Sequence, residues 1–137
     1  MRRVTHTVSD LKPGEVFVFG SNLSGIHGAG AAFTALKWGA VRGQGIGLQG
    51  RTYAIPTVTK KIRGPMSIAS IKIHVREFLT FAKNNPDLRF LVTEIGCGLA
   101  GFKPPDIAPL FKGAEKMANV WLPESFLNIL EKEEGGG

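Results

Sequence analysis

The sequence predicts an α/β sandwich, a sheet covered by helices on both faces. Short β-branched and aromatic runs recur along the 137 residues, amphipathic helical patterns separate them, and two of the runs break into closely spaced glycines.

A short strand is expected near residues 4–8 and a stronger one at 15–19, where Val16, Phe17, Val18 and Phe19 run into Gly20, Ser21 and Asn22. Gly25, Gly28 and Gly30 follow, then a helix-compatible run at 31–37. Strand, glycine turn and helix in that order aim free helix N-terminal amides at an anion. The next strand is expected at 52–58. A long helix follows at 67–83, because Ile68, Ile71, Val75, Phe78, Leu79 and Ala82 share one face and Asn84, Asn85 and Pro86 end it. A strand at 89–95 then opens into Ile95, Gly96, Cys97, Gly98, Leu99, Ala100, Gly101 and Phe102, a second turn whose amides can approach a phosphate where any Cβ would hold it off. A proline-started helix at 105–118, a strand at 119–122 and a short helix opened by Pro123, Glu124 and Ser125 complete the order. Residues 1–130 are read as one domain and 131–137 as a frayed polar tail ending in three glycines.

Composition bounds the rest. A hydrophobic content of 43% supports one ordinary core. The single cysteine, Cys97, excludes an internal disulfide and favours a reducing, cytoplasmic setting. No apolar stretch has the length of a bilayer span or a signal peptide, so no membrane partner is expected. The net charge of +6 favours an anionic ligand and weak nucleic-acid attraction; Lys60, Lys61 and Arg63 are the densest basic group. His6, His27 and His74 are too scattered for a metal site, and no metal or cofactor is expected.

Gly45, Gly47 and Gly50 match the GxGxxG spacing, but that motif works between a strand and a helix. Here strand-like residues 51–56 follow, and the next acid is Glu77. The glycines are read instead as a loop or hairpin, one that could cover a ligand.

In their order the motifs resemble a macro domain, the ADP-ribose-binding module. The resemblance rests on Phe19, Gly20, Ser21, Asn22; on Gly28, Ala29, Gly30, Ala31, Ala32; on Tyr53 through Val58, like "YIIHTV"; and on Ile95 through Phe102, like the phosphate loop "STGIFGYP". Within the family it is nearest to the terminal ADP-ribose protein glycohydrolase branch, with its "MGAGIA", "ITKK" and "IGCGLD" segments. The resemblance covers roughly residues 14–122. It implies a three-layer α/β/α sandwich with a mixed central sheet, and ADP-ribose or an ADP-ribosylated macromolecule as partner. Asn22 would meet ribose hydroxyls, or cap its own turn. The amides of Gly28 to Ala31 and Gly96 to Gly101 would hold the diphosphate. Phe102 would pack on the distal ribose, or belong to the core. Asp10 stands as the adenine-end acid, or as a turn cap. His27 would face the ligand, or occupy the surface of its loop. Cys97 reads as a buried thiol beside the loop rather than a nucleophile.

In the glycohydrolase branch a lysine and an aspartate carry the chemistry. Lys60 matches the lysine and is the candidate catalytic residue, whereas the aspartate position is Ala100, which can neither accept a proton nor orient a lysine. Glu94 and Asp106 are the nearest acids, with Glu94 alternatively on the opposite face of its strand. The leading expectation is therefore a binder of ADP-ribose or a related nucleotide. The alternatives are an ADP-ribosyl glycohydrolase and an unrelated α/β interaction protein.

Overall fold

Four consecutive apolar residues in a strand require burial on both faces, and the sheet provides it. In the computed structural model, which describes residues 2–59, 64–98 and 100–135, the strands are β1 (Val4–Thr5), β2 (Glu15–Asn22), β3 (Gly47–Gln49), β4 (Thr52–Val58), β5 (Arg89–Val92) and β6 (Val120–Pro123). Among the described residues they form one mixed six-stranded sheet in the order β1-β6-β5-β2-β4-β3. Every neighbouring pair is parallel except the β3–β4 hairpin. β2 is central, with β4 on one edge and β5 on the other.

Side-chain alternation along β2 divides the interior in two. Val16 and Val18 join a large cluster with Tyr53, Phe78, Phe90, Phe111 and Phe126. Phe17 and Phe19 join a smaller one with Leu11, Ala35 and Trp38. The small cluster lies under α1 (Gly30–Ala35) and the 3-10 turn Leu36–Trp38; the large one lies under α2 (Ile68–Lys83), α3 (Pro104–Ile107) and α4 (Glu124–Gly135). Helices thus cover both faces, as an α/β sandwich requires.

The long helix forms where its apolar spacing predicts it. Ser67 caps α2 by accepting the Ser70 N–H at 3.1 Å. At its other end the Asn119 carboxamide donates to the Ala82 and Asn85 carbonyls at 2.9 and 3.2 Å, which ties α2 to the approach of β6.

Four elements differ from the sequence expectation. The strand near 4–8 shrinks to Val4–Thr5. The strand expected at 15–19 continues to Asn22, because β4 pairs with it as far as Val58. The strand expected at 89–95 stops at Val92. The helix expected at 105–118 becomes α3 followed by 3-10 turns at Ala108–Phe111 and Ala114–Lys116. Pro109 lacks an amide hydrogen, and Gly113 takes φ +98°, so a continuous helix has neither the donor nor the dihedral it needs. The last helix, α4, runs to Gly135, and Arg2 reaches Glu131 at 3.0 Å.

Candidate functional site

β2 parts from its two neighbours at different heights. It pairs with β4 through Asn22 but with β5 only through Val18. The Val18 carbonyl accepts both the N–H and the hydroxyl of Thr93, at 3.1 and 2.9 Å, and there β5 ends and its chain turns away. Gly20, Ser21 and Asn22 are left with an open edge at the carboxyl end of the sheet. A cavity of about 360 Å³ fills this crevice. In α/β sheets this is the place where ligands bind.

One wall is the turn after β5. Within it Cys97, Gly101 and Phe102 donate their amides to Glu94, Gly98 and Gly96, at 3.1, 3.0 and 2.9 Å. The amides of Gly96 and Gly98 make no main-chain hydrogen bond among the described residues, and both glycines line the cavity. A cavity wall with unshared backbone donors suits an anion. Gly96 must be glycine: its φ is +80°, and a Cβ would stand 3.2 Å from the Ile107 side chain. Gly98 has no positive φ and open space where a Cβ would be. Gly20 permits the wall to approach, since a Cβ there would lie 3.3 Å from the Gly96 nitrogen.

The facing wall runs from Ile26 to Ala32. The Asn22 carboxamide donates to the Ile26 carbonyl at 2.8 Å and accepts the Ile26 N–H at 2.9 Å, closing the turn. No side chain caps the start of α1, and its first residues Gly30, Ala31 and Ala32 line the cavity.

This wall is clamped from behind. His27 is fully buried; its Nε2 lies 2.9 Å from the Val41 carbonyl and 3.1 Å from that of Gln44, and since carbonyls only accept, Nε2 carries the hydrogen. The Ser21 hydroxyl donates to the Gly45 carbonyl, and Gly43 donates its amide to Gly25 at 3.0 Å. A Cβ on Gly25 would strike the Gly43 and Gln44 backbone, and one on Gly45 would strike the Asn22 carbonyl. Gln49 holds the clamp from β3, accepting from Val41 and donating to Gln44, both at 2.7 Å. The glycines of the GxGxxG spacing thus serve backbone packing and a hairpin.

Of the residues singled out in the sequence, Gly20, Ser21, Asn22, Gly28, Ala29, Gly30, Ala31, Ile95, Gly96, Gly98 and Ala100 line the cavity. Lys60 and Leu99 lie outside the described residues. Five others are placed elsewhere. Asp10 accepts the Leu11 N–H at 2.9 Å as a turn residue and does not line this cavity. His27 points into the clamp. Gly101 serves the internal turn. Phe102 packs against the large core beneath Gly96. Cys97 also packs on that core, its Sγ 3.6 Å from the Ile95 carbonyl. Burial, then the charges of Glu94 and Asp106, push this thiol up to about 11.

Ile26, Ala32, Thr57 and Val58 also line the cavity, beyond the site residues expected from the sequence. Thr57 and Val58 were findable from the rule that ligands sit at carboxyl ends of strands; Ile26, an apolar residue 46% exposed within a glycine loop, carried a weaker signal. The two nearby acids separate clearly. Asp106 accepts the Lys103 N–H at 2.9 Å at the start of α3, whereas Glu94 lines the cavity. Glu94 also borders a second cavity of about 570 Å³, whose wall includes Thr5, Phe17, Thr34 and Ser125. The Ser125 hydroxyl donates to the Glu94 carboxylate at 2.6 Å.

Two measurements check this geometry. His27→Ala removes the donor shared by two buried carbonyls, so the protein should remain folded but lose about 1–3 kcal/mol of stability. Hydrogen exchange should accelerate at residues 22–28 and 41–46 together; acceleration in only one segment would contradict the clamp. Because thiolate is the reactive form, Cys97 at pH 8 should react with a maleimide at least about tenfold more slowly than a free cysteine, with the rate rising toward pH 11.

Compared with known proteins, the chain matches no family model, no curated protein and no solved structure.

Proposed function

We propose that this protein is a macro-domain-like module that binds ADP-ribose or a related nucleoside diphosphate and recognises molecules carrying it. The observation that carries the reading is the crevice beside β2, where one cavity is lined by Gly96 and Gly98, whose amides make no main-chain hydrogen bond among the described residues, and by the uncapped start of α1. Two such walls suit a diphosphate held from both sides. Hydrogen bonds to a charged acceptor contribute more than the usual roughly 0.5–1.5 kcal/mol each. The positive net charge favours the same class of ligand.

The cavity beyond Glu94 offers room for the nucleoside, and the end near Asn22 and Thr57 for the second ribose. The sequence resemblance reaches the same ligand from motif order. Ala100 lines the cavity without a proton-transfer group, which favours binding over hydrolysis. Glu94, the carboxylate residue that borders the cavity among the described residues, is the observation on which a hydrolase reading would rest.

Calorimetry with ADP-ribose should show binding, and the ligand should raise Tm by mass action. Gly98→Val is the informative variant, because its backbone tolerates a side chain that then projects where the phosphate would lie. It should keep the unliganded Tm and lose binding. No heat at millimolar ADP-ribose would remove the reading, and unchanged affinity in Gly98→Val would remove the anion role of this turn.

The unmodified protein should release little ADP-ribose from carboxylate-linked or base-linked conjugates. Robust turnover abolished by Lys60→Ala would promote the hydrolase reading instead. Turnover abolished by Glu94→Gln and retained in Lys60→Ala would place the chemistry at Glu94.

A further inference from the structure

We infer that Glu94, oriented by Ser125, is the specificity-determining residue of the site and selects a ligand with an unphosphorylated ribose next to its diphosphate. This inference rests on the binding reading above and names the ligand class more narrowly.

A crevice with open main-chain amides suits an anion, yet a carboxylate stands at the start of one of its walls. Its position resolves the conflict. Glu94 borders both cavities, so it stands at their junction and not at the centre of the amide-lined crevice. Ser125, in the first turn of α4, donates its hydroxyl to one carboxylate oxygen at 2.6 Å and thereby draws the side chain toward the second cavity.

A carboxylate only accepts hydrogen bonds. With one lone pair taken by Ser125, the remaining acceptor sites suit neighbouring hydroxyls, and a ribose 2′,3′-diol supplies two donors at the right separation. Dinucleotide-binding sites use an acidic residue on the ribose 2′-hydroxyl in the same way, and accept a 2′-phosphate only where an arginine takes over. The second cavity is bordered by threonines 5, 7, 34 and 93 together with His6 and Glu124, and among the described residues neither lysine nor arginine lines it. A ribose phosphate there would face Glu94 with neither lysine nor arginine among the described lining residues to offset the repulsion. A doubly charged phosphate about 6 Å from a carboxylate is disfavoured about tenfold even at the dielectric constant of water, and more where water is displaced.

The test is calorimetric titration of the intact protein and of Glu94→Gln and Ser125→Ala with ADP-ribose and with its 2′-phosphate derivative. The unmodified protein should bind ADP-ribose at least about tenfold more tightly than the 2′-phosphate. Glu94→Gln should lose most of that preference, mainly by gaining affinity for the phosphorylated ligand; a merely structural role for Glu94 would weaken both ligands alike. Ser125→Ala should narrow the preference by a smaller factor. Raising the salt concentration should narrow it in the unmodified protein and leave Glu94→Gln nearly unaffected. An equal preference in the unmodified protein and Glu94→Gln overturns this inference while leaving the binding reading intact. Absence of binding to both ligands by the unmodified protein removes the binding reading and this inference with it.

Discussion

The burial of β2 is the constraint from which the other features follow. A strand with Val16 and Val18 on one face and Phe17 and Phe19 on the other can hide its side chains only in the middle of a sheet covered on both sides. Its main chain then has to be satisfied by parallel neighbours on both edges, and β4 and β5 fill those places. The two neighbours end at different heights: β5 leaves β2 after Val92, whereas β4 stays paired with it as far as Val58. The crevice beside Gly20, Ser21 and Asn22 results from that divergence, so the site is a consequence of topology before any lining residue is chosen.

Close backbone contact shapes the crevice once it exists. Gly20 and Gly96 bring the end of β2 against the turn after β5, and Gly25 and Gly45 bring the loop after β2 against the hairpin that precedes β4. At Gly39 and Gly50 the two chains meet so tightly that a Cβ on either would lie within 2.9 Å of the other's backbone. His27 completes this arrangement from the interior, stacked edge-on to Phe19 at 5.3 Å with its ring donor bridging two carbonyls. The cavity walls are therefore held by packing behind them, and the amides of Gly96 and Gly98, which line the cavity, have no main-chain partners among the described residues.

Local pattern was sufficient wherever a residue's environment depends on near neighbours. The long helix emerged with its apolar face and stop because spacings of three and four residues and an Asn-Asn-Pro sequence act within one element. The glycine turns were also legible, and they line the same cavity. The helix expected at 105–118 was not realised as one helix, because its apolar spacing also suits a chain broken by Pro109 and Gly113 when the large core lies below it. Phe102 fits either a ligand or the core by sequence; the left-handed turn at Gly96 sends it into the core.

By itself the sequence determined that strands alternate with amphipathic helices, that two strand ends become glycine turns, and that helices cover the sheet on both faces. These are properties of hydrophobic periodicity and of glycine's freedom at positive φ, and they need no knowledge of distant residues. Only the tertiary structure decided which side chains meet the cavity. His27 turns inward because carbonyls fourteen and seventeen residues away converge on its ring. Glu94 stands at the junction of two cavities because a serine thirty-one residues further on holds it there. Such directions are set by contacts between segments far apart in the chain, and no local periodicity encodes where those segments come together.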